Sequence, residues 1–250
     1  MKKILLLLCA YVCSFAAEGS NATSSASNAS SASSASSASS VISFSTTFMD
    51  STGKFFFTYP TVLPDSNALR ELQKNFVIQR FEKFPFSTKD IAASLSFYKE
   101  QNKEIEILRD QASFPLPGIV QFVTYHYSYS PGAAHGEGGS KVGIYALADG
   151  KRIDLKNIFT KGSEKSITQL IIKEFLRIHN LQRLDDYSYT KKESDFTPVN
   201  AMISELGMDF IYPTYKLAPH SAGEQKIFLP WDTLKLYLNK QSIVYQRLKF

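Results

Sequence analysis

Apolar and polar positions alternate with a period of two through much of this chain, which predicts strands, and turn residues separate them from a few stretches with helical spacing. Residues 41–48 and 54–59 read as a strand pair around Ser51-Thr52-Gly53. Leu69, Leu72, Phe76, Val77 and Phe81 then recur at helical spacing behind the candidate caps Asp65 and Ser66, and a second helix is predicted over 88–99. Strands follow at 105–108, 119–129, 142–147 and 151–155, the last two flanking Asp149-Gly150, a favoured two-residue hairpin turn. Ile167, Leu170, Ile171, Phe175 and Ile178 mark one face of a helix over 164–179. A short strand at 208–212 stops at Pro213, which has no N–H for a ladder, and another at 225–229 leads into Pro230, suited to opening a helix over 231–238. Hairpin turns rather than repeated βαβ crossovers connect most strands. The expected fold is therefore α+β, mainly antiparallel sheet with packed helices, in two intimately associated halves.

The first 40 residues follow a different pattern. Lys2 and Lys3 precede an apolar run from Ile4 to Phe15, and Ser14 and Ala16 supply the small residues of a cleavage site, so residues 1–16 are expected to be a signal peptide. That run is shorter than the roughly 20 residues a bilayer span needs. Export to the periplasm or cell envelope follows. A lipoprotein is the competing expectation: Cys13, Ser14 and a serine-rich tail suit lipidation, while Val12 is larger than a lipobox favours. Residues 17–40 are almost all Ser, Ala, Asn and Thr, leave nothing to bury, and read as a disordered linker. The remainder divides into an N-terminal segment, 41–118, and a C-terminal domain, 119–250.

Both cysteines, Cys9 and Cys13, lie in the leader, which removes disulfides, thiolate nucleophiles and cysteine metal sites from the mature chain. Cleavage also takes Lys2 and Lys3, lowering the formal charge from +5 to +3. Lys and Arg are interspersed with Asp and Glu, so charge and compartment both argue against nucleic acid as a partner. Membrane attachment is expected only through a lipidated Cys13.

Tyr125, Tyr127 and Tyr129 share one strand face behind Val123 and form either an aromatic platform for a sugar ring or protein partner, or an ordinary packed face with its hydroxyls at a wet edge. The histidines His126, His135, His179 and His220 have no close ligand spacing, and although His135 and His220 lie in loops that can converge, three ligands are not in view, so no metal or other cofactor is expected. Gly132, Gly136, Gly138 and Gly139 lack the Gly-Lys-Ser/Thr ending of a phosphate loop. Ser96-Phe97-Tyr98-Lys99 matches S-x-x-K without its companion motifs, and the segment at Ser140 misses the last glycine of a nucleophile elbow. Glu104 with Glu106, and Asp185 with Asp186, are carboxylate pairs whose default is solvated surface.

The segment FIYPTYKLAPHSAGEQKIFLPW (210–231), with SPGAAHGEGG (130–139) and ADGKRIDLKNIF (148–159), resembles the RsiV-like extracytoplasmic domain over about 125–238. KFFFTYPTV, followed by a helix containing Asn67, is similar to the companion segment of PdaC-type peptidoglycan deacetylases. The resemblance implies a recognition module outside the membrane that binds lysozyme in the anti-sigma factor and accompanies a separate catalytic domain in the deacetylase. No catalytic residue carries over. The matching positions His135, Gly136, Asp149, Gly150, Tyr215, Pro219 and Gly223 read physically as loop and turn formers.

The first functional expectation is thus an exported envelope protein binding peptidoglycan or a lysozyme-like protein through Tyr125, Tyr127, Tyr129, His135, Gly136, Tyr215 and His220. A glycan hydrolase or deacetylase-type enzyme, and an assembly protein without a small ligand, are the alternatives. Deleting residues 17–40 is expected to leave the melting temperature unchanged, since the segment has almost no apolar surface to bury. A drop of several degrees in calorimetry would show that the tail packs on the folded part.

Overall fold

In a computed structural model, residues 42–49, 55–62, 67–68, 70–72, 75, 105–190, 192–248 and 250 are described. The leader, the linker, the helix expected over 88–99, and Leu69, Phe76, Val77 and Phe81 lie outside the described residues. Gly118 takes φ +74°, which costs glycine nothing, and turns β3 (Ile105–Leu116) back onto β4 (Ile119–Tyr129). The expected division after residue 118 falls in this hairpin turn, so one sheet draws strands from both segments.

That sheet has the order β1-β2-β3-β4-β5, with β1 (Ile42–Met49), β2 (Phe55–Val62) and β5 (Glu137–Ala146) completing it. Its neighbours are antiparallel except β2 and β3, where Phe55 stands opposite Glu106 in parallel register. A parallel pair needs a crossover, and the long chain between Val62 and Ile105 provides one. A second, antiparallel sheet is ordered β6 (Ala201–Ile203), β7 (Gly207–Tyr212) and β8 (Gln225–Pro230). The α+β expectation holds.

Several boundaries move for reasons of pairing. β3 continues past 108 because Arg109 through Ser113 each find a partner on β4. β5 begins inside the expected glycine loop, where Gly138 and Gly139 pair with Tyr127 and His126. The strand expected at 151–155 shrinks to a single bridge between Arg152 and Tyr145 before α1 (Leu155–Ile158). Its turn has four residues rather than two, since the amide of Ala146 donates to the Lys151 carbonyl at 2.9 Å and that of Gly150 to the Ala146 carbonyl at 2.9 Å. Gly150, at φ +69°, sits where a Cβ would strike the backbone of Ala68 and Leu72, and its carbonyl accepts from Asn75 Nδ2 at 3.0 Å.

Helix α2 (Glu164–Ile178) buries Ile167, Thr168, Ile171, Ile172 and Phe175. The predicted stripe is rotated: Thr168 and Ile172 are buried, and Ile178 is 50% exposed. Asn180, at φ 54°, ends the helix in a left-handed residue, and the amide of Leu181 reaches back to the Leu176 carbonyl at 2.8 Å. Phe175 meets Phe196 edge-on at 4.9 Å and Tyr187 at 5.1 Å. These rings join Ile119, Val123, Val142 and Ile144 from the first sheet and Met208, Phe210, Ile227 and Leu229 from the second in one core. Each such side chain contributes about 1.5–3 kcal/mol on burial. On the other face of β4 and β5, Val120, Phe122 and Tyr145 pack around Leu72. The C-terminal helix is shorter than expected: α3 (Trp231–Leu234) passes through a 3₁₀ turn, and Leu238 leaves it to bridge Phe159. A further helix, α4 (Ile243–Arg247), is capped by Ser242 Oγ accepting from the Tyr245 amide at 3.1 Å.

Polar side chains join the two sheets. Gln121, buried in β4, donates from Nε2 to the Ile203 carbonyl at 3.0 Å and accepts from the Ile203 amide at 2.9 Å, imitating a strand beside β6. Asn200 accepts from the Val142 amide at 3.1 Å and donates to the Ser140 carbonyl at 2.8 Å on the free edge of β5. Replacing Gln121 by Leu keeps the volume but strands two buried backbone groups, each worth about 1–3 kcal/mol. Denaturant unfolding of Gln121→Leu is expected to show a loss of about 2–4 kcal/mol on that basis. A loss below about 1 kcal/mol would mean that the inter-sheet bonds are dispensable.

Candidate functional site

Beyond Val123 the odd-numbered positions of β4 run out from under the core, and the same face that carries Ile119 and Val123 inward then carries Tyr125, Tyr127 and Tyr129 outward. Tyr125 is 36% and Tyr127 40% exposed, while Tyr129 is half-buried and donates its hydroxyl to the Ala133 carbonyl at 3.2 Å. They border a cleft of ≈ 570 Å³ together with His135, Gly136 and His220. Tyr215, the seventh expected residue, reaches the cleft through His135. The structure therefore brings all seven into one place.

Gly136 holds this arrangement together. The Tyr127 ring occupies the space that a Cβ at Gly136 would need. The Gly136 carbonyl faces two imidazoles, His135 Nδ1 at 3.2 Å and His220 Nε2 at 3.0 Å, and those rings stack at 3.6 Å with 21° between their planes. A carbonyl only accepts, so both nitrogens facing it carry a proton. In neutral His135, Nε2 is then the acceptor for the Tyr215 hydroxyl at 2.6 Å. Tyr215 adopts φ +70°, a left-handed conformation rarely taken by a bulky residue. Its carbonyl is held by the Tyr189 hydroxyl at 3.0 Å. Strain of this kind persists only where the surroundings over-determine it, and functional sites are where it collects.

The polar side of the same cleft is lined by His126 and Ser140, which match no ligand or nucleophile motif, and by Thr214 and Glu224, to which no sequence signal pointed. Glu224 accepts from the Ser140 amide at 2.5 Å and from Ser140 Oγ at 2.8 Å, with Lys226 Nζ 3.7 Å away. No local motif announces a contact across 84 residues of sequence. His126 points to the face opposite the tyrosines and lies beside Gly139 and Glu224. The residue is solvent-accessible, yet desolvation by the atoms packed around its ring lowers the pKa and nearby Lys141 adds to the effect, while Glu224 and Glu137 oppose it. Among the described residues no group of three or more His, Cys, Asp or Glu side chains is placed to hold a metal ion, and no helix is long and apolar enough to cross a membrane.

Residues 156–232 match the family model described as a protein of unknown function, DUF3298. That stretch includes Asn200, Thr214, Tyr215, His220 and Glu224 but not the tyrosine strand. Two solved structures of DUF3298-family proteins resemble the chain. One, from Bacteroides fragilis, is 16% identical with a TM-score of 0.63, covering 84% of this chain and 95% of its own. The other, from Pseudomonas aeruginosa PAO1, is 16% identical with a TM-score of 0.59, covering 79% and 92%. At that identity the likeness is one of fold. Among curated proteins none matches the sequence.

A histidine with a lowered folded pKa binds its proton more weakly than in the unfolded chain. Its contribution to stability is complete above the ordinary value of 6.5 and is lost as pH falls from there through the lower folded value. Proton NMR is expected to show His126 titrating below 6.5 and lower still in Glu224→Gln, where a supporting negative charge is gone. Titration at or above 6.5 in the parent chain would mean that the Glu224 and Glu137 carboxylates outweigh desolvation at this ring.

Proposed function

We propose that the chain is an exported cell-envelope binding protein and that the tyrosine-histidine cleft recognises a sugar ring of peptidoglycan. The observation that carries this reading is the pair of exposed rings, Tyr125 and Tyr127, standing beside fixed hydrogen-bonding groups in a concave site. A sugar has apolar C–H faces and a polar rim, which suits aromatic faces flanked by imidazole, carboxylate and hydroxyl groups. Glu224 is the one carboxylate among the described residues lining the cleft. Glycoside hydrolysis ordinarily needs two carboxylates facing each other across the bond, so the composition of the cleft favours binding over turnover. The leader-like N-terminus and the RsiV-like motif support an envelope location, and the same motif keeps a lysozyme-like protein in play as the partner.

Titration calorimetry with soluble peptidoglycan fragments, and separately with lysozyme, tests the reading alongside an assay for released sugar or acetate. Saturable glycan binding without products is the expected result. Tyr127→Ala is expected to weaken it about tenfold, the scale of one aromatic contact, with the melting temperature little changed. His135→Ala should weaken it as well, by freeing Tyr215. Binding to lysozyme without binding to glycan would transfer the cleft to a protein partner, and product release would replace binding by catalysis.

A further inference from the structure

The outer edge of β5 passes from the tyrosine cleft directly into a second, smaller one. Ser140 lines the first, and Val142 and Ile144 line the second, a cavity of ≈ 300 Å³. Asn200 separates them, since its side chain is bonded to Ser140 on one side and to Val142 on the other. With both clefts set along one extended strand, their separation is held by the backbone. From Gly138 in the first cleft to Ile144 in the second the strand spans about 20 Å at the usual rise, and the nearest lining positions, Ser140 and Val142, are about 7 Å apart.

The second cleft has a different chemistry. Arg152 and Lys156 line it against a single acidic residue, Asp154, with Val142, Ile144 and the exposed Val199 as an apolar wall. Asp154 engages Arg152 through Nε, at 3.4 Å, and the Arg152 side chain is 44% exposed. A guanidinium offers five donors in a planar fork, the geometry that suits a carboxylate. The two cations stand at the end of a track whose other end is aromatic.

Resting on the sugar-binding reading of the tyrosine cleft, we infer that the Arg152–Lys156 cleft is a second subsite of the same ligand and takes a carboxylate. The preferred ligand is then an extended acidic glycan strand, with a sugar ring at Tyr125 and Tyr127 and an acidic substituent about 7–20 Å along the chain. Neither subsite alone needs to be strong. Joined by the ligand, the second contact becomes intramolecular and raises the overall affinity.

The test compares the full chain with the Arg152→Ala/Lys156→Ala variant on two probes, neutral N-acetylglucosamine oligomers and glycan strands that carry peptide carboxylates. The parent is expected to bind both, the acidic strands more tightly and with the stronger salt dependence. The variant should bind neutral oligomers like the parent and acidic strands roughly fivefold to tenfold more weakly, the scale of two exposed ion pairs. Amidating the strand carboxylates should reproduce that loss on the parent protein. Equal losses on both probes, or no loss on either, would overturn the second subsite while leaving the sugar site standing. A parent that binds neither probe would overturn the sugar site, and the second subsite with it.

Discussion

The free edge of β5 is the constraint around which the structure is organised. β5 ends its sheet, and an edge strand presents a row of amides and carbonyls that must be satisfied by something other than a neighbouring strand. Here the partners are mostly side chains from elsewhere in the fold. His220 meets the Gly136 carbonyl, Thr214 Oγ1 the Gly138 carbonyl, Glu224 the Ser140 amide, and Asn200 both the Ser140 carbonyl and the Val142 amide. Farther along, the amide of Ile153 takes the Ile144 carbonyl, and the carbonyl of Lys151 takes the Ala146 amide. The edge is protected from adding a foreign strand, and the second sheet is fixed against the first by the same bonds.

Two consequences for the cleft follow from that arrangement. Glu224 is in the cleft because it caps β5, and His220 because it bonds Gly136 just before that strand, so part of the site is also part of the scaffold. Capping further requires the 213–224 connection to approach the strand closely. The approach places Tyr215 at positive φ and sets His220 flat against His135. Gly136 then accommodates the Tyr127 ring on one side of the backbone while its carbonyl serves both imidazoles. Rigid elements thus position the aromatic and polar groups before any ligand arrives, which reduces the ordering cost of binding.

The two sheets divide the site between them. The part matching the DUF3298 model supplies α2 and the whole β6–β8 sheet, with the capping residues Asn200, Thr214, His220 and Glu224. The tyrosine strand and the glycine segment precede it. The cleft forms where the matched part meets the strands before it, and neither contributes both the aromatic face and the polar side.

Periodicity determined much of this protein. Alternation placed β4 at 119–129 and put Tyr125, Tyr127 and Tyr129 on one face, because side-chain direction in a strand follows residue parity alone. Pro213, Pro230 and the glycines bounded the loops that carry His135, Tyr215 and His220, since local backbone preferences act through nearest neighbours. Pairing was another matter. The extension of β3 to Leu116, the parallel β2–β3 contact and the entry of Gly138 and Gly139 into β5 depend on which strand lies alongside, and that partner is remote in sequence. For the same reason Glu224 carried no signal of its own: in the sequence it reads as an ordinary solvated carboxylate, and only the meeting of 213–224 with the edge of β5 makes it a cap and a wall of the cleft. Gln121 likewise reads as a polar interruption in an apolar strand until the backbone of Ile203 stands beside it, because a hydrogen bond across 82 residues is a property of the tertiary structure.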